Sequence, residues 1–92
     1  MLIVVSYDVD DDHAAIKQNC LDHGWVDCVV LKDGTRRRLP NTTLLVEAPS
    51  PGHAVRGFFA LAREVSPNVT VEKIFATMTA PASFWLESDT HC

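Results

Sequence analysis

The sequence predicts an α+β domain of element order β-α-β-β-α-β, in which a four-stranded antiparallel sheet carries two helices on one face. Three observations predict it. An apolar run opens the chain at Leu2–Val9, a strong helical stripe runs from Ala54 to Val65, and two shorter strand-like stretches lie between them around the turn pair Asp33-Gly34. Ninety-two residues make one domain with a single modest core. We place that domain at residues 1–80 and read 81–92 as a C-terminal tail with an aromatic anchor of Phe84, Trp85 and Leu86.

Each element has its own signature. In the first strand Leu2 and Val4 fall on one face and Ile3 and Val5 on the other, the pattern of a central strand covered on both sides. From Asp11 to Gly24, residues Ile16, Cys20, Leu21 and Gly24 share a helical arc that Lys17 interrupts. Asp10, Asp11 and Asp12 then belong to the first turn of that helix, where carboxylates cap free amides and complement the helix dipole. Val26–Leu31 and Asn41–Ala48 read as the arms of a hairpin, with Lys32–Pro40 as its loop. Ser50-Pro51 combines a capping hydroxyl with a proline at a helix start, and Ala54, Phe58, Leu61, Ala62 and Val65 follow at helical spacing up to Pro67. Val69–Met78 returns as a strand whose alternation changes phase, which predicts a bulge or a change of partner. This order is the split βαβ, or ferredoxin-like, arrangement. Its sheet has a second face, and the apolar residues on both sides of the first strand predict that a homodimer buries it.

Composition excludes several function classes. No apolar run approaches the length of a membrane span, and the opening stretch lacks a basic region and a cleavage site, so a soluble, cytoplasmic protein is expected. Cys20, Cys28 and Cys92 form an odd set without a CxxC pair, which predicts core thiols at Cys20 and Cys28 and an exposed terminal thiol at Cys92. His13, His23, His53 and His91 lack any metal-ligand spacing, and nucleotide-binding glycine loops are missing. A net charge of −4 offers no global attraction to nucleic acid, so phosphate contacts require a local basic patch. The triplet Arg36-Arg37-Arg38 supplies one, either as a phosphate grip or as arginines that pair with acidic residues of the same assembly.

Asp8 is the carboxylate that asks for an explanation. A charge at the end of a buried strand is costly unless it is solvated, hydrogen-bonded to amides or bound to a cation. The stretch Val4-Val5-Ser6-Tyr7-Asp8-Val9 resembles the first strand of the small CRISPR-associated ferredoxin-like proteins that form the dimeric subunit of the spacer-integration complex. It is more similar still to their SinR-like relatives, in which a comparable Ser-Tyr-Asp strand precedes a hairpin and a compact second helix. The resemblance covers residues 1–78 as an order of elements. It implies a nucleic-acid-binding homodimer in which Asp8 of each protomer faces its mate, shares a Mg²⁺ ion with Asp10 as helper, and supports endonuclease cleavage of RNA or DNA. The chain departs from that pattern in its acidity and its few basic residues. A second expectation therefore stands beside the first, a non-catalytic dimerisation or partner-binding module of the toxin-antitoxin or adaptor kind.

Overall fold

In the computed structural model, which describes residues 1–80 and Cys92, the first strand β1 (Leu2–Val9) is the centre of the molecule. It is followed by α1 (His13–Asp22), β2 (Cys28–Val30), β3 (Arg36–Arg38), β4 (Thr43–Glu47), α2 (Pro51–Val65) and β5 (Val71–Met78). β1 pairs antiparallel with β4 on one side and with β5 on the other, giving a three-stranded sheet of order β4-β1-β5. The phase change read in the last strand is a register shift between Asp8 and Val9, where Val9 opposes Val71 and Asp8 opposes Lys73, leaving Glu72 as the extra residue. Without it Val71 would stand on the face opposite Ile74 and Ala76. With it all three pack against the same core.

That core lies on one face of the sheet. Ile3, Val5, Tyr7 and Val9 of β1 meet Ile16 and Cys20 of α1 and Ala54, Phe58 and Ala62 of α2, so both helices cover this side as expected. α2 starts where Ser50-Pro51 places it, with the Ser50 hydroxyl accepting from the His53 N–H at 3.2 Å. α1 ends at a glycine in the left-handed region, Gly24 at φ 91°, which turns the chain so that Trp25 enters the core beside Phe58.

The acidic run is placed differently from the expectation. α1 begins at His13, and its first turn holds no acidic residue; Asp12 is the N-cap in the left-handed region at φ 56°, without a capping hydrogen bond from its side chain. The reason is competition. The Asp12 carboxylate accepts from the Ser66 hydroxyl at 2.6 Å, and Asp10 accepts from the Thr70 N–H at 2.9 Å, so both tie the start of α1 to the chain leaving α2. Asp11 accepts from the Asp12 N–H at 2.8 Å.

The largest difference concerns the hairpin. The expected loop contains a strand of its own, β3, and β2 pairs with it as a separate two-stranded sheet instead of with β4. The turn decides this locally. Gly34 sits at φ 85°, Asp33 accepts from both the Thr35 N–H and hydroxyl, and the Leu31 N–H donates to the Thr35 carbonyl at 2.8 Å. Closing this short turn costs less chain entropy than bringing in a strand ten residues further on. The place of a fourth strand beside β4 is reduced to one antiparallel bridge, Val26 with Leu45, made by two hydrogen bonds of 2.9 Å. Beyond it the chain leaves the sheet, and Val29, Leu31 and Leu39 of the hairpin pack on Leu45, Leu2 and Val4. The second sheet face is thus partly covered by the chain's own hairpin. A further correction follows, because Cys28 and Cys92 are not free thiols but a disulfide with Cα atoms 6.2 Å apart, and Cys20 alone remains a buried thiol. The expected aromatic anchor at Phe84, Trp85 and Leu86, and His91, lie outside the described residues.

Candidate functional site

The hairpin leaves the Asp8 end of the second face open. There Ser6 and Asp8 of β1 stand beside Lys73, Phe75 and Thr77 of β5, with Asp8 opposite Lys73 and Ser6 opposite Phe75. Phe75 is 65% exposed, and Met78 of the same strand is exposed as well. Ser6 and Thr43 join their hydroxyls at 3.1 Å across β1 and β4. Asp8 makes no hydrogen bond and no ion pair among the described residues, so its carboxylate is free toward solvent.

Asp10, the expected helper, does not join it. Its carboxylate is spent on the Thr70 amide, and its own N–H donates to the Thr70 carbonyl at 3.2 Å, closing the strand end like a further rung of the sheet. Among the described residues, no group of three or more acidic, histidine or cysteine side chains is placed to hold a metal ion. A hard cation takes six or more oxygens, and one free carboxylate per chain is too few to form a site alone.

The structure also divides the arginine triplet. Strand alternation puts Arg36 and Arg38 on the outer face of β3 with the exposed Val30, whereas Arg37 lies on the inner face opposite Val29. Arg37 is half-buried and donates to the Arg36 carbonyl at 3.1 Å. Arg38 donates to Asp27 Oδ2 at 2.9 Å, and Lys17 approaches the same oxygen at 3.6 Å. Pairing within the chain therefore accounts for Arg38, and Arg36 is left on the surface.

Tyr7, adjacent to Asp8 in sequence, points to the opposite face. Its ring stacks on Phe58 with centroids 4.4 Å apart. Burial, and then the nearby Cys20 thiol, push its phenol up to about 12; burial alone pushes the Cys20 thiol up to about 11. Both groups are raised above their unfolded values of 10.0 and 9.0, so the fold holds their protonated forms more tightly. Their contribution is complete below about pH 9 and is lost as pH rises toward about 12. Unfolding free energy should stay level up to about pH 9 and then fall by a few kcal/mol, with Tyr7→Phe removing the upper part of the loss. Tyr7 is the single tyrosine, so near-ultraviolet absorbance reads its titration directly. A midpoint near that of free tyrosine would contradict the burial argument.

These features define a small α+β protein with two helices on one face of a three-stranded antiparallel sheet and a hairpin on the other. No helix among the described residues is long and apolar enough to cross a membrane. Compared with family models, with curated proteins and with solved structures, the chain matches none of them.

Proposed function

We propose that the chain is a ferredoxin-like binding module that pairs with a second copy of itself through the open part of its sheet and contacts nucleic acid through the outer face of its hairpin. The ferredoxin-like reading is supported by the order β4-β1-β5 and by the Val26–Leu45 bridge, which stands where that arrangement carries its fourth strand. The observation that carries dimerisation is Phe75, exposed on the edge strand β5 beside the part of the sheet face that the hairpin leaves uncovered. A two-fold axis through this face buries Phe75 of both copies and brings the Asp8 and Lys73 rows together. The relationship to the small CRISPR-associated proteins rests on the Ser6-Tyr7-Asp8 strand and this mode of pairing.

The same face favours binding over cleavage. Asp8 is free on this face to take Mg²⁺, and it would need Asp8 of the second copy and ligands from the phosphodiester itself. Arg36, with its outward guanidinium, is the residue best placed to hold a phosphate.

Analytical ultracentrifugation and oligonucleotide binding test the proposal together. The chain is expected to sediment as a dimer, and Phe75→Glu as a folded monomer whose dimer dissociation constant rises at least about a hundredfold, since a buried carboxylate lacks a partner there. Arg36→Ala should weaken binding of a labelled oligonucleotide and flatten its salt dependence by about one unit of slope. A monomeric parent chain sinks the dimer. Mg²⁺-dependent cutting that disappears in Asp8→Asn would replace binding by the nuclease reading.

A further inference from the structure

A cleft of about 360 Å³ opens between α1, the end of β1 and the loop before β4; Tyr7, His13, Lys17, Gln18, Asn41 and Thr42 contribute to its walls. Its volume is at the lower end of small-molecule sites. His13 and Lys17 are one helical turn apart and present their side chains along the same stripe of α1. This explains Lys17, the residue that interrupts the apolar arc in the sequence: its stripe faces the cleft rather than the core.

Two independent features mark the cleft as built for a ligand. The first is Tyr7, 95% buried by its 5% exposure, whose hydroxyl hydrogen-bonds to nothing among the described residues. No buried side-chain oxygen or nitrogen lacks a partner, so this hydroxyl must be in reach of solvent. Tyr7 is among the residues that line the cleft. A phenol held against Phe58 and left without a protein partner keeps its donor available to a ligand.

The second feature is the charge arrangement behind it. Lys17 and Arg38 share one carboxylate oxygen, Asp27 Oδ2, and Arg38 holds it at the shorter distance of 2.9 Å against 3.6 Å. Asp27 therefore stays neutralised when Lys17 turns away, and the three groups together carry one excess positive charge. Lys17 reaches Asn41 Oδ1 at 3.4 Å, so its ammonium already extends toward the cleft wall. The first turn of α1 adds to this, because Asp12 gives its side chain to Ser66 and does not cap the helix amides.

We propose that this cleft binds a small phosphomonoester, with the Lys17 ammonium, the Tyr7 hydroxyl and the His13 side chain on the phosphate oxygens. Several donors arriving from different directions suit a tetrahedral oxyanion. The cleft volume leaves room for a group of nucleoside size beyond it.

Isothermal titration of the full chain with inorganic phosphate and with a nucleoside 5′-monophosphate tests this. Saturable one-to-one binding is expected for both, tighter for the monophosphate. Tyr7→Phe, which keeps the stack on Phe58, should weaken binding roughly tenfold, the effect of one hydrogen bond to a charged group. Lys17→Met should weaken it by at least as much, and amide chemical shifts on titration should move at His13–Gln18 and Asn41–Thr42. Failure of both anions to saturate, or binding that Tyr7→Phe and Lys17→Met leave unchanged, overturns the proposal. Since Phe75 and Arg36 are untouched, dimerisation and oligonucleotide binding read separately from this result.

Discussion

Replacing Phe58 by alanine is expected to lower the unfolding free energy by about 3–5 kcal/mol, the range for truncating a fully buried aromatic ring. Phe58 is the largest side chain with no exposed surface among the described residues, and it packs against Tyr7 of the central strand and Trp25 of the loop after α1, the latter with centroids 6.1 Å apart. Its loss would leave a cavity bounded by β1, the start of the hairpin segment and α2, which rigid neighbours can fill only in part. A domain of this size has about 5–15 kcal/mol in total, so the variant should be partly unfolded at moderate temperature. Urea unfolding followed by tryptophan fluorescence measures it. A loss below about 1 kcal/mol would mean that the ring is not the keystone of this core.

Breaking the Cys28–Cys92 disulfide is the second large effect. The two residues are 64 positions apart, so the cross-link closes most of the chain into one loop and removes much freedom from the unfolded state. A loss of about 2–4 kcal/mol is expected for Cys92→Ser or on reduction. The hairpin should loosen first, since it is otherwise held by the packing of Val29, Leu31 and Leu39 on the sheet, the Val26–Leu45 bridge and the Lys17–Asp27 ion pair. Unfolding of the parent chain with and without a dithiol reductant, beside Cys92→Ser, reads the term directly. The parent should move to the midpoint of the variant under reduction, and the variant should not respond. Identical midpoints for the parent in both conditions would show that the bond contributes nothing.

Much of the architecture was legible in local pattern. The start of α2 was readable because Ser50 and Pro51 act on adjacent amides. The bulge was readable because alternation is a backbone property, and Val71 and Ile74 cannot share a face without an extra residue. The hairpin pairing was not legible, for the opposite reason. Val26–Leu31 and Asn41–Ala48 are both good strands, and choosing between partners depends on what each buries, which needs the sheet in place. The disulfide was hidden similarly, since its two cysteines are 64 positions apart and spacing rules treat them as unrelated.

The acidic stretch that follows the first strand shows the same division. Local pattern is enough to specify an α+β chain, a central first strand, two helices on one side and a carboxylate at the strand end. Tertiary structure alone decided that Asp10 serves Thr70 and Asp12 serves Ser66, that Asp8 stays free opposite Lys73, and that Lys17 belongs to a cleft with Tyr7. Pattern along the chain reports how each residue suits its own backbone over a few positions. Which partner a polar group takes depends on distances between segments that meet only after the core has formed.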